Sequence, residues 1–304
     1  DIIPNDASLT VTYAKNSETS KQITGASDGN SVSSVGSGQS VTVTNDVSAP
    51  TVSSVSTSKA DATYGIGEVI PILIQFNEVV NVQGTPTLTL ETGDTDATAY
   101  YASGTGTDTL TFNYTVASPH VAADLDYQLT TSLTLPTGTD TIRDNLATNA
   151  TLTLATPGQS NSISDDQAIV IDGVRPTFTG FTANAGTTTI TIAADDVLSG
   201  APDATDFTVQ SAAGVGNTVT AATLASDGRS IALTLTNMIQ NDADLNVTYA
   251  QNSTDSKKLK DSTGNDLVSV TSGQSVTVTD DVSAPTVSSV STSKADATYG
   301  IGEV

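Results

Sequence analysis

The sequence predicts an all-β fold built from tandem two-sheet sandwiches, and three observations predict it. Threonine, a β-branched residue that packs well on a pleated surface, is the commonest type, and Gly and Ser punctuate the chain every eight to twelve residues. Several segments alternate apolar and polar residues with the two-residue period of a half-buried strand, and no ten-residue stretch carries a helical apolar period. The 33 acidic residues divide into 28 Asp and only 5 Glu, which favours turns and caps over helices.

The strands follow in order. In VIPILIQF, Ile70, Ile72, Ile74 and Phe76 share a face, and Pro71 places this strand at an edge or among its own first residues. In TLTFNYTV, Leu110, Phe112, Tyr114 and Val116 point one way while Thr109, Thr111, Asn113 and Thr115 point the other. Further along, SIALTLT, DLNVTY and SVTVT set Ile231, Leu233 and Leu235, then Leu245, Val247 and Tyr249, then Val276 and Val278 toward a core. About seven such strands in each stretch of roughly 110 to 125 residues are what a sandwich requires.

A long internal repeat organises these strands. Residues 37 to 69 recur at 272 to 304 with one change, Asn45 to Asp280, at an offset of 235 residues. Upstream the match loosens, NDASLTVTYAKNS from Asn5 resembling NDADLNVTYAQNS from Asn241. Two junctions, DDVSAPTV and IDGVRPTF, then divide the chain into the second half of an A module (1 to 48), a complete B module (49 to 173), a complete A module (174 to 283) and the opening of another B module (284 to 304). The expectation is a window on a longer array of alternating modules.

Charge and composition exclude several functions. A net charge of -23 repels nucleic acid and anionic membranes. One histidine and no cysteine exclude thiol chemistry, disulfides and His/Cys zinc sites, and no apolar run is long enough to span a bilayer. Ser118, His120 and Asp124 are neighbours in sequence without the spacing of any catalytic motif, so His120 reads as a loop residue and the chain as no enzyme. Tyr100 and Tyr101, between two glycine-rich turns, read as strand tyrosines, since the alternation runs through Ala97, Ala99 and Tyr101. They are also the place where a glycan or host protein would be recognised.

The A module, with ADDVLSGAPDATDFTVQSA, GRSIALTLTNMI, DADLNVTYAQNS and LKDSTGNDL, resembles the bacterial Ig-like repeat named after a swimming-associated surface protein of marine cyanobacteria. The B module, with GEVIPILIQFNEVV, TPTLTLETG, GTDTLTFNYTV and DLDYQL, is similar to the companion Ig-like repeats of giant bacterial surface proteins. The resemblance implies cadherin-like or fibronectin-III-like sandwiches in an elongated array on the outside of a bacterial cell. The implied role is the stalk of an adhesin or surface fibre, with neighbouring copies of the same modules, surface glycans or other cells as partners, or assembly into a sheath or filament. In such sandwiches the loop between the first two strands, the loop before the sixth strand and the end of the last strand lie at the pole facing the next module. Asp61, Glu68, Asp124, Asp126 and Asp172 are therefore expected to meet Asp195 and Asp196 of the following module around Ca²⁺, which takes six to eight oxygen ligands. At the less acidic junction from A to B, Asp242 and Asp281 and their earlier copies Asp6 and Asp46 are the expected ligands, ahead of Asp244 and Asp280. The competing expectation is that these aspartates cap turns and keep the surface charged.

Overall fold

The computed structural model describes residues 9–13, 35–41, 48–211, 213–241, 243–280 and 298. The chain divides into two compact units, Asp1–Val174 and Arg175–Val304, and both are built almost wholly from strands. Among the described residues the helical pieces are one turn of α-helix, α1 (Ile163–Asp166), and two three-residue 3₁₀ turns.

Unit 1 holds a hairpin of β1 (Leu9–Tyr13) and β2 (Val35–Val41). Its main body starts with β3 (Val52–Thr57), β4 (Ala62–Gly65), β5 (Val69–Gln83), β6 (Thr87–Glu91), β7 (Ala97–Ser103) and β8 (Thr107–Thr115). It continues with the short β9 (Val121–Ala122), β10 (Asp126–Tyr127), β11 (Leu133–Thr134) and β12 (Thr141–Arg143), then β13 (Ile169–Asp172). One sheet runs β10-β6-β7-β8-β5-β12, with β3 also on β5 and β11 also on β6, and a second runs β4-β13-β9. The predicted apolar faces fill the space between them: Ile70, Ile72, Ile74, Leu110 and Phe112 are inaccessible to solvent and cluster with Ile169 and Ile171 of the smaller sheet. Pro71 is the third residue of β5 and sits just beyond the last β3 partner, Thr57 opposite Ile72. Thr57 Oγ1 donates to the Pro71 carbonyl at 2.7 Å, so the side of Pro71 that lacks an N–H lies where the ladder has already ended.

Unit 2 comprises β14 (Phe178–Asn184), β15 (Thr189–Ala194), β16 (Phe207–Ser211), β17 (Val219–Leu224), β18 (Ser230–Leu235), β19 (Leu245–Tyr249), β20 (Val270–Ser275) and β21 (Thr277–Thr279). Its sheets are β17-β18-β15-β14-β21 and β16-β19-β20. In chain order this is the four-plus-three arrangement of an immunoglobulin constant-type sandwich, with β21 added in parallel beside β14. Ile190, Ile192, Ile231 and Leu233 of one sheet close on Phe207, Val209, Val247 and Tyr249 of the other. Phe178 and Phe207 pack on the Tyr249 ring with centroids 5.4 and 5.1 Å away, which concentrates aromatic burial in a chain with few rings.

Candidate functional site: aspartate turns and the linker

Parallel pairing of β4 with β13 decides where the B-module carboxylates fall. Ile169 lies opposite Ala62 and Asp172 opposite Gly65, so Asp61 stands level with the start of β13 and Asp172 with its end. The Ala168 N–H donates to Asp61 Oδ1 at 3.0 Å, and the Ile169 N–H meets the Asp124 carboxylate. Asp124 is pushed above its ordinary value by burial, reinforced by the charges of Asp126 and Asp61, so these three do gather. Glu68 and Asp172 do not join them. Glu68 pairs with Lys59 at 3.1 Å, and Asp172 Oδ1 accepts the Val174 N–H at 3.2 Å, about 13 Å of strand away at roughly 3.3 Å per residue. The β4–β13 pair thus has Asp61 and Asp124 at one end and Asp172 at the other, with Glu68 beside Lys59.

The aspartates are occupied by donors from their own unit. Asp126 is buried, with Oδ1 accepting from Tyr127 N at 2.8 Å and Oδ2 from Gly158 N at 2.9 Å and Ser164 Oγ at 2.7 Å. Asp195 takes the Thr177 N–H on one oxygen and the Thr177 hydroxyl on the other. Burial pushes this carboxyl up, but those two donors and the N–H groups of Asp195 and Asp196 outweigh it and hold the carboxyl below its usual range. Asp196 Oδ1 accepts the Val197 N–H at 2.6 Å. Among the described residues no group of three or more His, Cys, Asp or Glu side chains is placed to hold a metal ion. Asp6, Asp46, Asp242 and Asp281 lie outside the described residues.

One turn recurs in both units. In DSTGND, Asp261 is 3% exposed and its Oδ1 accepts from Thr263 N, Thr263 Oγ1 and Asn265 N, while Oδ2 accepts from Asn265 Nδ2 at 3.0 Å. In DNLATN, Asp144 Oδ1 accepts from Leu146 N and Thr148 N at 2.7 and 2.8 Å. Asp261 N and Asp144 N each donate to the carbonyl four residues on, and Gly264 N and Ala147 N each return to the aspartate carbonyl. The left-handed position is Gly264 (φ 91) in one and Ala147 (φ 67) in the other. The two hexapeptides share only their first residue, yet the backbone keeps the same turn.

The linker leaves little free chain. Gly173 N donates to His120 O at 2.7 Å, and a Cβ at Gly173 would collide with the carbonyls of Ala117 and His120. His120 itself faces the Tyr114 hydroxyl through Nδ1 at 3.1 Å, a loop role with the strand end docked on its backbone. Val174 is bonded within unit 1. On the unit 2 side, Arg175 Nη1 donates to Asp266 O at 3.4 Å, Pro176 O accepts Val268 N at 3.1 Å, and Thr177 is held by Asp195. Every residue from Gly173 to Thr177 is therefore bonded to one unit or the other. Beside this entry, Lys258 and Lys260 bridge Asp266 and Asp255 at 2.9 to 3.7 Å. Neither Thr177 nor these lysines is singled out by sequence, because their partners lie anywhere from 3 to 18 residues off and no motif fixes that spacing.

Residues 166–254 match the family described as "Putative flagellar system-associated repeat", the SWM repeat. This stretch starts at the end of unit 1 and runs through β19, and it is similar to the same family that the A-module sequence resembles. No curated protein matches the chain. Among solved structures, the N-terminal part of the bacterial S-layer protein SbsC is similar at 13% identity and a TM-score of 0.29, over 34% of this chain and 24% of that one. The chain therefore spans about a quarter of that structure's length.

Proposed function

We propose that the chain is a spacer of tandem Ig-like modules in a repetitive bacterial surface protein outside the cell, whose work is to hold other parts of the molecule at a distance. The observation that carries this reading is the linker: each residue from Gly173 to Thr177 is tied to one unit or the other, so bending between modules must come from few backbone torsions. The match to a repeat family over residues 166–254 and the near-identical 33-residue segments support a product that works by repetition. Strands near 3.3 Å per residue make each module roughly 30 to 40 Å long. The experiment is to insert six Gly-Ser residues between Val174 and Arg175 and compare scattering profiles with the parent chain. A parent that is measurably less flexible supports the spacer, and equal flexibility removes it.

Calcium is a separate proposal. Glu68 and Asp172 lie toward the end of β13 that runs into the linker, and Asp195 and Asp196 follow it in sequence. Profiles in calcium and in chelator decide the matter, a difference in length or flexibility supporting bound cation and identical profiles removing it. A second reading, glycan recognition, rests on Tyr100, which is 62% exposed on the outer face of β7 while Tyr101 packs edge-on against Phe112. Binding to a glycan array that Tyr100→Ala abolishes would favour it over the spacer.

A further inference from the structure

Where β5 and β12 meet, polar side chains gather on the outer face of unit 1. Thr141 lies opposite Gln83, Ile142 opposite Val82 and Arg143 opposite Asn81. Ile142 is buried in the core, so by the two-residue period Thr141 and Arg143 face outward, each beside its cross-strand partner. The turn that follows brings Asn145 to the same place, and Asn81 Nδ2 donates to Asn145 Oδ1 at 2.9 Å. These side chains line a cavity of about 360 Å³, toward the lower end of the range of about 300 to 1,000 Å³ for small-molecule sites.

Arg143 gives this cavity its chemistry. Its Nε donates to Asn149 Oδ1 at 2.7 Å, which fixes the plane of the guanidinium. Among the described residues Arg143 takes part in no ion pair. A guanidinium carries five N–H donors; one is used on Asn149, and those on the two Nη atoms meet no acceptor among the described residues. Asp144, the other ionic group at the cavity wall, is engaged by its own turn, with Oδ1 accepting from the Leu146 and Thr148 N–H groups and Oδ2 buried.

We propose that this cavity binds a sugar acid of the hexuronate class, its carboxylate on the Arg143 guanidinium and its ring hydroxyls on the amides of Asn81, Gln83 and Asn145 and the hydroxyl of Thr141. The planar fork of a guanidinium matches a carboxylate with two parallel hydrogen bonds. Carboxamides and hydroxyls both donate and accept, as the hydroxyls of a sugar ring do. No aromatic ring lines the cavity, so a neutral sugar has no face to stack on and lacks the charged contact as well. The cavity is also larger than a lone carboxylate fills. The net charge of -23 opposes an anion at long range, but at physiological ionic strength charges beyond about 8 Å are largely screened, and at contact the guanidinium prevails. The site involves no linker residue, so it stands independently of the spacer reading.

The test is titration of the full chain with glucuronate, glucose and acetate, followed by backbone amide NMR shifts. Glucuronate should shift the amides of Asn81 to Gln83 and of Thr141 to Ala147 saturably, and glucose and acetate should each bind at least about tenfold more weakly. Arg143→Gln should lower the affinity for glucuronate by about tenfold to a hundredfold. Arg143→Lys should fall between, since an ammonium keeps the charge and loses the fork. Arg229→Gln, which removes the same charge from unit 2, should leave binding unchanged. Thermal melting of unit 1 shows that the Arg143 variants are folded, and if Arg143→Gln is not, Arg143→Lys decides. The proposal is overturned by no saturable shift with glucuronate, by shifts confined to other residues, by glucose or acetate binding as well as glucuronate, or by a folded Arg143 variant that binds like the parent.

Discussion

Thr177 donates its backbone N–H to one carboxylate oxygen of Asp195 and its hydroxyl to the other, at 2.7 and 2.6 Å. This pair fastens the first residues after the linker to the end of β15. Asp195→Ala should destabilise unit 2 by about 1 kcal/mol, below the range for buried charged hydrogen bonds because the pair is exposed, and leave unit 1 unchanged. Thermal melts that resolve the two units check this, and Asp195→Asn should cost less because one oxygen acceptor survives.

The buried turn carboxylate carries more. Asp261→Ala strands the donors of Thr263 and Asn265 and should cost about 2 to 4 kcal/mol. In the sister turn Asp144 Oδ2 is buried without a hydrogen-bond partner, whereas Asp261 has the amide of Asn265 at that place. Thr148→Asn should therefore stabilise unit 1 by about 0.5 to 1.5 kcal/mol.

The left-handed residue in the same turn gives a paired test. Ala147→Gly relieves a conformation that L side chains disfavour and should stabilise unit 1 by about 0.5 to 1 kcal/mol, while Gly264→Ala should cost unit 2 a similar amount. Denaturant midpoints moving in opposite directions are the expected reading.

The response to pH follows from the carboxylates that the fold keeps ionised. Asp203 is lowered to about 2, first by the hydrogen bond from Lys257 and then by those from Thr205; Asp255 is lowered, first by the hydrogen bond from Lys260. A depressed group binds its proton more weakly in the folded than in the unfolded state. Its contribution is therefore present above the unfolded value near ~4 and lost as pH falls toward the folded one. Lys257 and Lys260 are raised by the same contacts, so their contribution is present below their unfolded value and fades only in strong alkali. Unit 2 should hold its stability from neutral pH to about 5 and lose it between about 4 and 2. Asp124 has the opposite sign, being raised, so Asp124→Asn should stabilise unit 1 at neutral pH by less than about 1 kcal/mol.

Much of this was legible from alternation alone. Ile70, Ile72, Ile74, Leu110, Phe112, Ile231 and Leu233 are buried as the two-residue period requires. The second half of β5 was not, because its register shifts between Gln75 and Val80 opposite β8 and the period breaks there. The aspartates were legible as a class and opaque as individuals. Whether Asp126 meets a cation or the donors of Gly158 and Ser164 depends on loops 32 and 38 residues away. The division of the carboxylates came from β4 and β13, each four residues long and paired in parallel with no turn to announce it.

The central claim is that a taut linker makes the modules a spacer, and small-angle scattering with and without the six-residue Gly-Ser insertion after Val174 tests it most directly. The account predicts that the parent chain shows one narrow distribution of end-to-end lengths and that the insertion broadens it while both units melt as before. A parent distribution already as broad as that of the insertion would contradict it.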